Sequence, residues 1–208
     1  MKKLILILIA LPMIGFGQTA DDYFDIAKNS SDLEVQIDNY TKSIEIDPEN
    51  INNWKAYKNR ALAYSSLKKY KEAISDNSKA IKLNPESKIS YMQRGEAYYN
   101  LDKGNEAIAD YNKAIEHYKK FYNNFPTVVE GKLKKAFLLR GDAYFILNNF
   151  EDAIADYSRS IKIDSEYFDA FFMRAAVKKE LGEPFCDDYK RACDLEPRSC
   201  KIYNEKCK

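Results

Sequence analysis

Four cysteines stand at 186, 193, 200 and 207, each seven residues after the last. Thiols at such a spacing can form disulfides or hold a soft metal ion. Seven residues is close to two helical turns, so Cys186 and Cys193 share a face of one helix. Cys200 and Cys207 share a face of another, beyond Glu196-Pro197. Within one helix the paired residues would lie about 10 Å apart, whereas a disulfide needs Cα atoms within roughly 7 Å. In an antiparallel hairpin turning near 196–197, facing residue numbers have a constant sum, which pairs Cys186 with Cys207 and Cys193 with Cys200. The spacing predicts two nested bridges, each stabilising by about 2–3 kcal/mol. A four-thiolate zinc site would show tighter CxxC-type spacing.

Other reactive constellations are missing. His117 is the single histidine, which excludes any site needing two. There is no Gly-rich phosphate loop, no HExxH and no nucleophile elbow. The 33 basic residues nearly cancel the 32 acidic ones, and lysines interleaved with acids make no basic stripe for nucleic acid. No catalytic residue, metal site or cofactor is expected, so the chain reads as a non-enzyme.

The N-terminus reads as an address. Met1-Lys2-Lys3 is positive, Leu4 to Ile14 is apolar apart from Pro12, and Gly15-Phe16-Gly17 follows. That order marks a secretory signal peptide, and the apolar run is shorter than the roughly 20 residues of a membrane span. Residues 1–17 are expected to be removed, leaving no membrane span and a periplasmic or secreted protein. Such a compartment is oxidising, which suits the predicted bridges.

The remaining residues repeat one pattern. Arg94-Gly95-Glu96-Ala97-Tyr98 returns as Arg140-Gly141-Asp142-Ala143-Tyr144. Each is followed by a second half, Ala107-Ile108-Ala109-Asp110-Tyr111 and Ala153-Ile154-Ala155-Asp156-Tyr157. An earlier copy has Arg60-Ala61-Leu62-Ala63-Tyr64 and Ala73-Ile74-Ser75-Asp76-Asn77, and Ala73 to Ala107 is 34 residues. Small residues at two fixed places let paired helices approach closely, and prolines 48, 85 and 197 stop second helices. Arg60, Arg94, Arg140 and Arg174 share one position; Asp76, Asp110, Asp156 and Asp188 share another. Antiparallel packing brings each arginine to the aspartate of its own unit, which predicts a structural ion-pair ladder. From Ala107 to Ala153 the period stretches to 46 residues around Asn123-Asn124-Phe125-Pro126. The twelve extra residues are expected to lengthen two antiparallel neighbours by about 9 Å each.

This pattern resembles the tetratricopeptide repeat, a pair of antiparallel helices, over about 150 to 175 residues. The resemblance implies an all-α, right-handed superhelical solenoid. The expected units are a degenerate 20–50, then 51–86, 87–120, 127–165 and 166–196, with a disulfide-clipped capping helix at 197–208. In that family the first helices of successive units line a concave groove that binds a peptide or protein. The matching positions are Lys55, Lys58, Asn59 and Leu62, then Met92, Gln93, Glu96 and Tyr99. Further along they are Lys135, Leu138, Leu139, Asp142 and Phe145, then Asp169, Phe172 and Met173. The groove is expected to grade from basic to apolar. Some members hold a C-terminal carboxylate with a fixed set of Lys, Asn and Arg. Here Lys58 is present, but Leu62 and Gln93 replace two asparagines, so that pattern fails. The expected function is a non-catalytic interaction scaffold of the cell envelope or exterior. The alternative is a structural element that self-assembles through its end faces, and 115–135 is a second candidate surface.

Overall fold

The computed structural model describes residues 18–122 and 126–208. The proposed leader, and Asn123, Asn124 and Phe125 of the expected turn, lie outside the described residues. Eleven α-helices follow one another among the described residues, with no strand. They are α1 (Ala20–Asn29), α2 (Leu33–Ile46), α3 (Trp54–Ser66), α4 (Tyr70–Leu83), α5 (Lys88–Tyr99) and α6 (Gly104–Tyr122). Then come α7 (Pro126–Ile146), α8 (Phe150–Ile163), α9 (Phe168–Glu180), α10 (Cys186–Leu195) and α11 (Cys200–Cys207). Successive helices pack as antiparallel pairs, and each pair packs on the next, so the core is shared along the array. Helices α6 and α7 have 19 and 21 residues, against 14 in α4 and α8. The stretched period is therefore used as helix.

Local sequence sets the boundaries. Thr19 and Asp22 form a reciprocal capping box at α1, and the Asp32 side chain accepts the Glu34 and Val35 amides at α2. Within four units the turn between paired helices has one residue at positive φ: Lys68, Asp102, Asn148 and Gly182. The following amide donates back to a carbonyl five residues earlier, from Lys69, Lys103, Asn149 and Glu183 to Tyr64, Tyr98, Tyr144 and Lys178. This closes the last helical turn of each first helix. Only the fourth of these positions carries the residue with no steric penalty there, Gly182.

The packing between paired helices rests on a glycine facing a tyrosine. A Cβ at Gly95 would stand 2.8 Å from Tyr111 Cε1, and one at Gly141 would stand 2.6 Å from Tyr157 Cε1. Both rings are fully buried. Asn77 and Tyr189 occupy the same register opposite Ala61 and Ala175.

The expected ion-pair ladder is present and is bidentate at every rung. Arg60, Arg94, Arg140 and Arg174 each direct Nε and Nη2 at both carboxylate oxygens of Asp76, Asp110, Asp156 and Asp188, at 2.6 to 2.9 Å. The free Nη1 reaches back to the preceding unit, donating to Thr41, Ser78, Asn112 and Ser158 in turn. Each guanidinium also lies over an aromatic ring one helical turn earlier: Tyr57, Tyr91, Phe137 or Phe171. Fork geometry and ring stacking are both specific to arginine. One side chain thus ties its own hairpin together and fastens it to the previous one.

The C-terminus is held covalently. Cys186 is bonded to Cys207 with Cα atoms 5.6 Å apart, and Cys193 to Cys200 at 4.5 Å. This is the nested pairing that the spacing predicts. Helix α11 has eight residues, none of them buried. A helix so short and so poorly covered is not stable on its own, so the bridges carry what packing does not.

Two outcomes follow. Asp156 is fully buried and pairs with both Arg140 and Arg159. Asp156→Ala should lower the unfolding free energy by about 3–5 kcal/mol in urea titration. The paired change Arg140→Met with Asp156→Leu should cost clearly less, and equal losses would contradict the ladder. Reduction of both disulfides should leave residues 200–207 without hydrogen-exchange protection while α3 to α8 stay protected. Persisting protection in α11 would show that packing holds it.

Candidate functional site

The first helices α3, α5, α7 and α9 lie side by side and form one face of the array. The groove positions implied by the resemblance fall on this face, but the structure sorts them differently. Lys58, Met92, Leu138 and Phe172 share one register, directed between neighbouring helices. Met92 packs in the core with Tyr111 and Ala107, and Leu138 packs with Tyr157, Ala170 and Val177. Both are buried and offer no surface to a partner. Leu139 and Met173 are half-buried against the same two clusters. Phe145 stacks on Phe150, and Phe172 stacks between Phe168 and Tyr189. The expectation of an apolar strip over the later units is therefore corrected. A first helix must bury side chains against its partner and against the next unit, and these residues do so.

Apart from Leu62, what remains accessible at these positions is mostly polar. Lys55 and Lys58 both place Nζ over the Trp54 ring, 5.8 and 5.5 Å from its centroid. Burial holds the Lys58 ammonium below its usual range, and the charge of Lys55 adds to this. Among the described residues no salt bridge engages Lys58. It is a lysine in a register that the other units fill with apolar side chains. Asn59 donates to Tyr40 Oη at 3.2 Å and so serves the junction with the first unit.

Further along, the face turns acidic and phenolic. Glu96 pairs with Lys135 at 4.0 Å. Asp142 accepts a hydrogen bond of 2.9 Å from Tyr157 Oη. Burial pushes the Asp142 carboxyl up to about 6, against the hydrogen bond from Tyr157, and the nearby Asp169 charge adds to the rise. Burial also raises the Tyr99 hydroxyl, and Asp142 and Asp102 push in the same direction. The face therefore runs from basic at Lys55 and Lys58 to acidic at Asp142 and Asp169. Between α3 and α5 it is indented by a cleft of about 280 Å³ bordered by Leu62, Ser65, Tyr70, Gln93 and Glu96.

His117 is buried in α6 and stacks on Tyr91. Among the described residues no group of three or more His, Cys, Asp or Glu is placed to hold a metal ion. No helix among them is long and apolar enough to cross a membrane.

Comparison with known proteins agrees with the geometry. Models of the tetratricopeptide repeat match residues 54–87, 89–120 and 141–182. The chain carries tetratricopeptide repeats. Heat shock protein STI1 of Saccharomyces cerevisiae is 36% identical over 70 residues, 32% of this chain and 12% of its own length. Small glutamine-rich tetratricopeptide repeat-containing protein 2 of the same yeast is 41% identical over 59 residues, 28% of this chain and 16% of its own. The chain thus matches only a small part of either curated relative. Among solved structures, MamA superposes with a TM-score of 0.72 at 22% identity, covering 89% of this chain and 96% of that one. YrrB, described as having an unusual peptide-binding site, gives 0.68 at 19% identity, covering 86% and 87%. The first repeat domain of RPAP3, solved with an HSP90 peptide, gives 0.55 at 25% identity, covering 64% and 97%. Tetratricopeptide repeat proteins mediate protein–protein interactions.

Asp142 supplies a test of how this face is built. Its folded pKa lies above the ordinary 3.8, so the folded state holds the proton more tightly than the unfolded chain. The associated stability is complete below the ordinary aspartate range and is lost as pH rises through about 6. Asp142→Asn cannot ionise. Its stability relative to the parent should therefore grow between about pH 4 and about pH 7.5, by up to ~3 kcal/mol. A difference independent of pH in thermal unfolding would contradict the burial argument.

Proposed function

We propose that this tetratricopeptide array is a non-catalytic adaptor that works outside the cytoplasm and binds an extended peptide segment along the face of α3, α5, α7 and α9. The observation that carries this reading is the division of labour among charges. The arginines and aspartates of the ladder are committed to one another. On the first-helix face, Lys58 has no acidic partner among the described residues, and Asp142 accepts a hydrogen bond from Tyr157 but has no cation paired with it among them. Charges left uncompensated in a folded array are available to a ligand. A partner that is acidic at one end and basic at the other fits the polarity from Lys55 and Lys58 to Asp142 and Asp169. The leader-like residues 1–17 and the two disulfides support export to an oxidising compartment.

The measurement is selection of displayed peptides on the immobilised full chain, followed by affinity determination. Selected peptides should lose at least about tenfold in affinity for the variant Lys55→Glu with Lys58→Glu, which is expected to keep its helical content because neither residue is in the core. Undiminished affinity would contradict binding along this face. Sedimentation that shows concentration-dependent growth of the free protein would favour the end-face assembly reading instead.

A further inference from the structure

In units three and four a buried tyrosine of the second helix faces an acid that follows the glycine of the first helix. Tyr157 donates to Asp142 Oδ1 at 2.9 Å, and Asp142 follows Gly141. The equivalent pair one unit earlier is Tyr111 with Glu96, which follows Gly95. There the bond is not made. Tyr111 is fully buried and its hydroxyl has no partner among the described residues, while Glu96 is turned to Lys135, 4.0 Å away. Yet Glu96, Asp142 and Tyr99 are all close enough for their charges to act on that hydroxyl. An O–H donor without an acceptor therefore lies beneath the gap between Glu96 of α5 and Asp142 of α7. Buried donors are rarely left so in folded proteins.

The acids around this gap are accessible and uncompensated. Asp142 is half-buried, and its second oxygen, Oδ2, has no partner among the described residues and is not sealed from solvent. Asp169 is exposed on α9, near enough for its charge to act on Asp142. Among the described residues no lysine or arginine lies within ion-pair distance of Asp142 or Asp169. The groups that face Asp142 are Tyr99 from α5, Tyr111 from α6, Tyr157 from α8, Asp169 from α9 and Tyr167 just ahead of α9. These are phenols and one further acid. Carboxylates gathered in a partly desolvated place without a cation attract one strongly. The ladder shows the form such a contact takes in this chain, a cation on the carboxylate with an aromatic ring against it, and Tyr99 brings an aromatic ring to the side of Asp142.

We infer that Asp142, with Glu96 and Asp169 on either side, is a subsite for the cationic head of one lysine or arginine side chain of the bound peptide. The cation sits on Asp142 Oδ2. It draws Glu96 inward from Lys135, and Glu96 then accepts the Tyr111 hydroxyl as Asp142 accepts that of Tyr157. This rests on the reading of the first-helix face as the peptide site and adds which side chain anchors the partner there. It also makes the anchor responsive to acid. Burial pushes Asp142 up to about 6, so below that pH the carboxyl is neutral and its attraction for the cation is lost.

The probes are N-acetyl-L-lysinamide and N-acetyl-L-argininamide, titrated into the full chain and followed by amide chemical shifts. N-acetyl-L-citrullinamide serves as the neutral comparator. At about pH 7.5 at least one cation should shift Glu96, Tyr99 and Asp142 saturably, and the tighter of the two names the side chain. Citrullinamide should bind at least about tenfold more weakly. At about pH 5 cation affinity should fall about tenfold, because only about a tenth of Asp142 is then ionised. Asp142→Asn keeps an acceptor for Tyr157 but cannot ionise, so it should lose both the shifts and their pH dependence. Lys55→Glu with Lys58→Glu should keep both. Unsaturable shifts, an equal response to citrullinamide, shifts centred on second-helix acids such as Glu72, or unchanged binding in Asp142→Asn would overturn the proposal. If selected peptides depend on Lys58 while neither cation engages Asp142, the subsite fails and the peptide face stands. If a cation binds at Asp142 while no peptide depends on Lys58, the assignment of a peptide to this face fails.

Discussion

The array depends on one three-way contact, an arginine that grips the aspartate of its own hairpin with two nitrogens and reaches the preceding hairpin with the third. Repeat units cannot bury a hydrophobic face alone, so each must be fastened to its neighbour in a fixed register. The contact supplies that register. A guanidinium between two carboxylate oxygens, a hydroxyl or amide of the previous unit, and an aromatic ring has one orientation that satisfies all of them. A lysine could neutralise the same charge but could not hold the angle between units. The first described unit carries no such arginine, yet it contributes Thr41, the acceptor that the second unit needs. The ladder ends at Asp188, where the tyrosine found earlier in the turn register is replaced by Lys178. That lysine joins Arg174 on the same carboxylate. Burial alone would push this acid up, but the hydrogen bonds from Arg174 and Lys178 outweigh it and hold Asp188 below its usual range.

The ladder consumes one aspartate of each second helix and one arginine of each first helix, so those charges are not open to a partner. The same economy governs apolar groups. Met92, Leu138, Phe145 and Phe172 are absorbed into packing within and between units. Leu62 alone among the groove positions stays both apolar and well exposed, at the cleft between α3 and α5. The stabilising framework and the available surface are thus separate sets of residues on the same helices. At the C-terminus the balance shifts from packing to covalent bonds, since α11 buries nothing fully and is tied at both ends.

Much of this was legible in the chain before any coordinates. Identical residues at equal spacing disclosed the repeat, the Arg–Asp pairing within each unit and the lengthened helices α6 and α7. The seven-residue cysteine rhythm carried the nested disulfides, because a hairpin leaves a single geometrically consistent pairing. The site was less legible, for a physical reason. A first helix contacts two neighbours, so helical period alone does not say whether a residue such as Leu138 turns to solvent or into the adjoining unit. The arginine bond to the preceding unit was missed as well, although Thr41, Ser78, Asn112 and Ser158 hold one register and carry a polar acceptor each time.

The central claim is that the first-helix face, and not the second-helix face, receives the partner. Site-specific photocrosslinking in the cells that produce the protein tests it most directly. A photoreactive side chain placed at Lys58 or Glu96 should yield a discrete crosslinked product. The same side chain at Glu72 or Ala109, exposed positions on the second helices α4 and α6, should yield none. Products of equal or greater yield from Glu72 or Ala109 would contradict the account.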